Sequence, residues 1–136
     1  MPMLRNYHIL ISHSWHYSSH YRTVCTWLNG ASYFNWSDYS VCCNNPLDTN
    51  TDAELKGKLR ARIASASCII VLSGMYASYS KWIDFEIDTA ISMHKPIIAV
   101  KPWGQERVPL KIQNTCNVLV GWNSASVIHA IRRYAL

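Results

Sequence analysis

Two short stretches of this chain carry side chains that could act on a substrate: Trp82 with Glu86, and Ser12-His13-Ser14. Trp82 and Glu86 are four residues apart, so on a helix their side chains share one face. Ile83, Ile87, Ala90 and Ile91 form the apolar stripe of the same helix, and Glu86 borders it. A glutamate at that border is partly withdrawn from water, which raises its pKa and makes it a candidate site residue. Asp84 and Asp88, two residues to either side, point away from it toward solvent. Taken alone, a W-x-x-x-E spacing describes a solvated helix edge. The place of this helix in the chain is what raises Glu86 above that reading.

Strand and helix signals alternate throughout. Residues 7–11 (YHILI) read as a first strand that ends at Ser12-His13-Ser14. A helix over 19–28 stops near Asn29-Gly30, a C-terminal signal. Residues 36–41 make a weaker, polar strand, followed by a loop over 42–50 rich in turn formers. Thr51 and Glu54 form a capping box for a helix that runs to about residue 65. Residues 68–72 (CIIVL) are continuously apolar, as in a central parallel strand covered on both faces. A connection over 73–79 leads to the Glu86 helix, with Ser80 as N-cap. That helix ends at His94-Lys95-Pro96, and a fourth strand follows at 97–100. A long polar loop, a fifth strand at 118–120 and a last helix at 124–134 complete the chain. Arg132 and Arg133 suit the C-terminal dipole of that last helix.

This alternation predicts an α/β fold of flavodoxin-like type: a three-layer sandwich around a five-stranded parallel sheet of order 2-1-3-4-5. In such a sheet the ligand crevice lies at the C-terminal ends of strands one and three, where the strand order reverses. Ser12, His13 and Ser14, Ser73 with Gly74, and the start of the Glu86 helix would line it.

The 136 residues are enough for one domain with its own core. Hydrophobic residues make up 49% and charged residues 15%, which is ordinary for a globular protein. Eight Tyr and six Trp suggest aromatic surface as well as core. No apolar run reaches the roughly 18 residues of a membrane span, and the first residues are not a signal peptide, so a cytoplasmic location is expected. Five cysteines without C-x-x-C spacing argue for free thiols and against a disulfide framework or a metal site. His13, His16 and His20 would gather around a metal only if their segment were helical throughout, which the serines between them oppose. The net charge is +5, but the basic residues are scattered. Lys56, Lys58, Arg60 and Arg62 flank a Leu55, Leu59, Ile63 stripe as solvated helix positions do, so nucleic-acid binding is not indicated.

Other functions of this fold class lack their residues. A phosphate-accepting receiver needs acidic side chains at the end of strand one, where this chain has Ser12-His13-Ser14. Neither G-x-G-x-x-G nor G-x-x-x-x-G-K-[ST] occurs, which weakens a dinucleotide-fingerprint or P-loop reading. The absence of G-x-S-x-G opposes an α/β-hydrolase.

What remains resembles a known family. Residues 7–14 (YHILISHS) resemble the opening strand of bacterial TIR domains, and 82–86 the W-x-x-x-E motif of TIR domains that consume NAD+. Residues 68–74, the stretch KPIIAVKPWG at 95–104 and VGWN at 120–123 resemble TIR-like proteins of the Thoeris type, in bacterial antiphage defence. The likeness spans nearly the whole chain. It implies cleavage of the nicotinamide–ribose bond of NAD+, with NAD+ as substrate and no separate cofactor. Glu86 would then be catalytic, Trp82 a wall of the pocket, and Ser12 and His13 lining from the first loop. The loop over 42–50 would gate the site and mediate assembly.

One carboxylate suffices for that chemistry. Glycosidases that expel an alcohol need an acid for the leaving oxygen as well as a carboxylate at the cationic centre. Nicotinamide leaves as a neutral molecule from a positively charged ring, so only stabilisation of the ribosyl cation is required. The expected product is ADP-ribose, a cyclic isomer or a conjugate, acting as a diffusible signal to a separate effector. Self-association and a phage-derived trigger are expected too. The competing expectation is a non-enzymatic TIR scaffold that works by homotypic assembly.

Overall fold

The computed structural model describes residues 6–12, 18–39, 52–72, 76–101 and 110–136. The elements alternate as β1 (Asn6–Ser12), α1 (Ser18–Gly30), β2 (Asn35–Asp38), α2 (Asp52–Ser65), β3 (Cys68–Leu72), α3 (Tyr76–Ser92), β4 (Ile97–Val100), α4 (Leu110–Thr115), β5 (Val118–Val120) and α5 (Ser124–Tyr134). All four strand pairings are parallel and the sheet order is β2-β1-β3-β4-β5, as the alternation predicts. Apolar composition explains the centre. Every residue of β3 and β4, and Ile9, Leu10 and Ile11 of β1, is buried. Each Ile, Leu and Val among them contributes about 1.5–3 kcal/mol by leaving water.

Right-handed crossovers require α1 on one face of this sheet and α2, α3 and α4 on the other, and α5 joins the α1 face by packing against it. Pairs α1/α5 and α2/α3 do pack together. Side-chain contacts fix which strand residues face which layer. His8 bonds through Nδ1 to the Ser65 carbonyl at the end of α2, 3.2 Å away. Its neighbour Tyr7 stacks on Phe34, over which lies Arg132 of α5. Successive strand residues alternate, so His8, Leu10 and Ser12 face the α2/α3 layer and Tyr7, Ile9 and Ile11 the α1/α5 layer. The opposite edge agrees: Val118 and Val120 line a groove with Ser126, His129 and Ala130 of α5. Through the register, Ile98 and Val100 share their face, while Ile97 and Ala99 face α3.

Three local expectations are revised. Ser80 is not an N-cap, because α3 begins four residues earlier, at Tyr76. No Gly or Pro follows Gly74 before the amphipathic stretch, so nothing stops the helix from propagating back to Tyr76. The segment expected as polar loop contains α4, which buries Ile112. Ile91 is 47% exposed and so is not part of the buried stripe of α3.

The end of α3 is sharply defined. The His94 amide donates to the Ile91 carbonyl (3.1 Å) and the Lys95 amide to the Ala90 carbonyl (2.8 Å). This is a Schellman closure with His94 in the left-handed region, at φ 56°. A residue with a Cβ tolerates that conformation at a cost of about 1–2 kcal/mol. The closure carries the chain into β4, where the Pro96 carbonyl accepts from the Ile69 amide at 2.9 Å. At the far end of the chain, Asn123 caps α5 by accepting from the Ser126 amide at 3.1 Å.

Candidate active site

Glu86 is 1% exposed, although a carboxylate on an amphipathic helix is normally solvated. The buried positions of its stretch of α3 are Glu86, Ile87, Thr89 and Ala90. At about 100° per residue they span an arc of about 160°, with Glu86 within about 20° of its centre. On sequence alone Glu86 stands at the border of the apolar stripe, because Ile91 counts there as buried. With Ile91 outside, the centre of the face rotates toward the carboxylate. Glu86 is enclosed between helix and neighbouring structure.

Its height above the sheet follows from the helix end. The Ala90 carbonyl is bonded to the Lys95 amide, and Lys95 comes two residues before Ile97, the register partner of Ile69, so Ala90 lies below the level of Ile69. Glu86 is four residues back, about 6 Å up the helix axis. Two residues of strand rise by about 6.6 Å, so the Glu86 backbone lies between the levels of Ile69 and Val71, and a helical side chain leans toward the helix N-terminus, here toward Val71. Val71 is the register partner of Ser12, the last residue of β1. The sheet row at this level is Ser12, Val71, Ala99 and Leu119, all facing the α2/α3/α4 side.

Two members of that row are small. One level below stand Leu10, Ile69 and Ile97, all bulky. Ser12 and Ala99 thus flank Val71 with reduced side-chain volume where α3 carries its carboxylate. Ser12 is itself 1% exposed, and its Oγ has no hydrogen-bond partner among the described residues. A buried hydroxyl left in that state costs about 1–3 kcal/mol, a penalty expected at a site made for a ligand.

Ser12 and Glu86 therefore come to one face and one level of the sheet. Trp82 lies in α3, one turn before Glu86. His13, Ser14 and Ser73, and the loop over 42–50, lie outside the described residues. Asp88 is exposed and Asp84 half-buried, in keeping with their distance from the Glu86 face. Ala99 went unnoticed in the sequence because an alanine in an apolar strand reads as core; only the register puts it beside Val71.

The basic residues of α2 are not simply solvated. The Lys56 ammonium and Arg60 guanidinium lie 5.6 and 5.2 Å from the centroid of the Phe85 ring, within cation–π range. Arg62 covers Tyr39, which stacks on His8. Two cations thus sit beside the residue that precedes Glu86. Away from this region, Tyr21 of α1 donates to the Asp38 carboxylate. Burial, reinforced by that carboxylate, holds the Tyr21 hydroxyl well above the usual tyrosine range. Burial also raises the thiols of Cys25 and Cys116. No cluster of three or more His, Cys, Asp or Glu side chains suited to a metal ion occurs among the described residues, and none of their helices is long and apolar enough to cross a membrane.

A groove of about 550 Å³ lies between α1 and α5, lined among others by Trp27, Gly30, Ala125, His129 and Arg132. It is on the sheet face opposite to Glu86. A second, of about 460 Å³, lies near the His94 turn and Leu136, at the amino ends of the strands. Neither contains the buried polar pair.

Comparison with known proteins gives the fold and the family. The structure is similar to that of Clostridium botulinum CMP N-glycosidase, BcmB, with a TM-score of 0.60 at 15% identity, over 93% of this chain and 99% of that one. It is also similar to a 3-dehydroquinate dehydratase-like protein from Bifidobacterium longum, with a TM-score of 0.51 at 8% identity, over 95% and 94% of the two chains. At these identities the likeness is one of fold. No curated protein sequence matches the chain. The family model of the Thoeris protein ThsB, TIR-like domain, matches residues 10–107, from the last residues of β1 past β4. The chain belongs to the ThsB TIR-like domain family.

Proposed function

We propose that this protein cleaves the nicotinamide–ribose bond of NAD+ and releases an ADP-ribose-derived signal that activates a separate effector in antiphage defence. The observation that carries the reading is Glu86, a carboxylate buried at the centre of the inner face of α3, on the side of the sheet to which the buried Ser12 also points. Membership of the ThsB TIR-like family supports it. So does a fold shared with a CMP N-glycosidase, since both reactions break a bond from a ribose carbon to a ring nitrogen.

In the proposed reaction the bond between ribose C1′ and the nicotinamide nitrogen breaks, and its electron pair leaves with the ring, which becomes neutral. Positive charge passes to the ribose. The Glu86 carboxylate, held in a water-poor setting, stabilises that charge and accepts hydrogen bonds from ribose hydroxyls. Trp82, one turn away, walls the pocket, and His13, Ser14 and Ser73 complete its lining. Attack of water at C1′ gives ADP-ribose and a proton. Attack by a hydroxyl or the adenine of the same molecule gives a cyclic isomer, and another small molecule gives a conjugate. The site selects among these by excluding water. Assembly of several copies and a phage-derived trigger bring the enzyme to activity. Glu86→Gln, with the same shape and no charge, should abolish turnover of NAD+.

One observation favours a scaffold instead. Tyr33 is 81% exposed at φ 55°, and Arg132 bonds the neighbouring Ser32 carbonyl at 2.8 Å. A fixed, projecting tyrosine suits a protein contact. For a scaffold, Tyr33→Ala would abolish defence and Glu86→Gln would spare it; the opposite pattern is expected here.

A further inference from the structure

The end of β1 breaks its own pattern. Ile9, Leu10 and Ile11 are fully buried and apolar, and the next residue, equally buried, is a serine. Packing alone calls for a further aliphatic side chain. The neighbours of Ser12 on its face are Leu10 within the strand and Val71 and Ile69 on β3, none of which offers a side-chain hydrogen-bonding group. Its Oγ is buried, faces the α3 layer, and is without a hydrogen-bond partner among the described residues. A buried polar atom in that position calls for a partner from outside the fold.

We propose that Ser12 reads the ribose of the substrate: its Oγ hydrogen-bonds a sugar hydroxyl next to the scissile bond and makes the site selective for ribonucleotides over deoxyribonucleotides. This rests on the glycosidic-cleavage reading above and adds the feature of the substrate that is recognised. The level of the residue decides which part of the substrate it meets. Ser12 stands in the same sheet row as Val71, at the height of Glu86, and the carboxylate must lie against the ribose to stabilise its charge. The character of the group agrees. A neutral hydroxyl both donates and accepts, matching a sugar hydroxyl. A phosphate would instead favour cations, which the fold offers on α2 in Lys56 and Arg60.

The test is a competition. Wild type, Ser12→Ala and Ser12→Cys are each given NAD+ mixed with an analogue lacking the 2′- or the 3′-hydroxyl of the nicotinamide ribose. Incubations are run with purified protein and in lysate of infected cells, and consumption is followed by mass spectrometry. Wild type should prefer NAD+ over one of the analogues by about tenfold or more, as loss of a hydrogen bond to a buried group implies. Ser12→Ala should bring that preference to within about twofold, and Ser12→Cys should leave it in between. Ser12→Ala should melt no lower than wild type, because it removes a hydroxyl that the fold does not use. An equal loss on NAD+ and both analogues, or a melting point several degrees lower, would assign Ser12 a structural role and overturn the proposal. Glu86-dependent turnover with an unchanged preference would overturn this inference and leave the cleavage reading standing. Absence of Glu86-dependent turnover in either setting would overturn both.

Discussion

Ala99→Val probes the placement of Glu86 without touching it. Ala99 is fully buried in β4, faces α3, and shares a sheet row with Val71 and Ser12 at the level of the carboxylate. Valine adds two methyl groups in a row with no spare exposure, and overpacking of that kind costs about 1–3 kcal/mol. For 136 residues the unfolding entropy is about 0.29 kcal/mol/K, so the melting temperature should fall by about 3–10 °C. Relief comes by lifting α3, and a displacement of about 1 Å at a reacting group can cost about 100-fold in rate. Turnover of NAD+ should therefore fall by about 10- to 100-fold. Ile98→Val is the control: the preceding residue of the strand, equally buried, facing α5 instead. It should lose about 0.5–1.5 kcal/mol and keep near-normal turnover. Calorimetry and a mass-spectrometric NAD+ assay read both quantities. Wild-type stability and turnover in Ala99→Val, or an equal loss of turnover in Ile98→Val, would refute the assignment of faces.

Two further outcomes follow from the fold alone. Asn123→Ala removes the cap of α5 and should cost about 1 kcal/mol, a fall in melting temperature of about 3–4 °C; an unchanged melting curve would contradict the cap. Tyr21 holds its proton above the ordinary tyrosine range because of burial and the Asp38 carboxylate. The unfolded chain loses that proton from about pH 10 while the folded one retains it, so the unfolded state binds fewer protons and stability falls as pH rises. Tyr21→Phe should remove this part of the alkaline loss while lowering stability at neutral pH, and identical pH profiles from chemical denaturation would count against it.

Much of this architecture was legible in the chain. The continuous apolar runs at 68–72 and 97–100 read as buried strands, and their alternation with helices makes 2-1-3-4-5 the leading sheet order, which the structure has. The W-x-x-x-E spacing singled out Glu86, but its depth was underestimated. Sequence periodicity treats Ile91 as core because it is isoleucine, whereas it stands about 120° around the helix from the centre of the buried face and is exposed. The start of α3 is hidden for a different reason: Ser80 looks like a cap, yet helix propagation from the amphipathic part outweighs it. The role suggested for Ala99 was beyond periodicity altogether. It depends on which strand residues stand side by side, and register is set by the packing of the whole sheet. Ser12 was chosen for its polar type at a strand end, while its unpartnered burial emerges only from the packed structure.

The most direct measurement is mass spectrometry of NAD+ incubated with wild-type protein and with Glu86→Gln, each purified and in lysate of phage-infected cells, after both have been shown to melt alike. The expected result is loss of NAD+ with a new product for wild type, and at least a 100-fold slower loss for Glu86→Gln, as when a charge-stabilising group is removed. The mass of the product would separate ADP-ribose, a cyclic isomer and a conjugate. Equal consumption by both proteins, or none by either in lysate, would contradict Glu86 as the catalytic carboxylate.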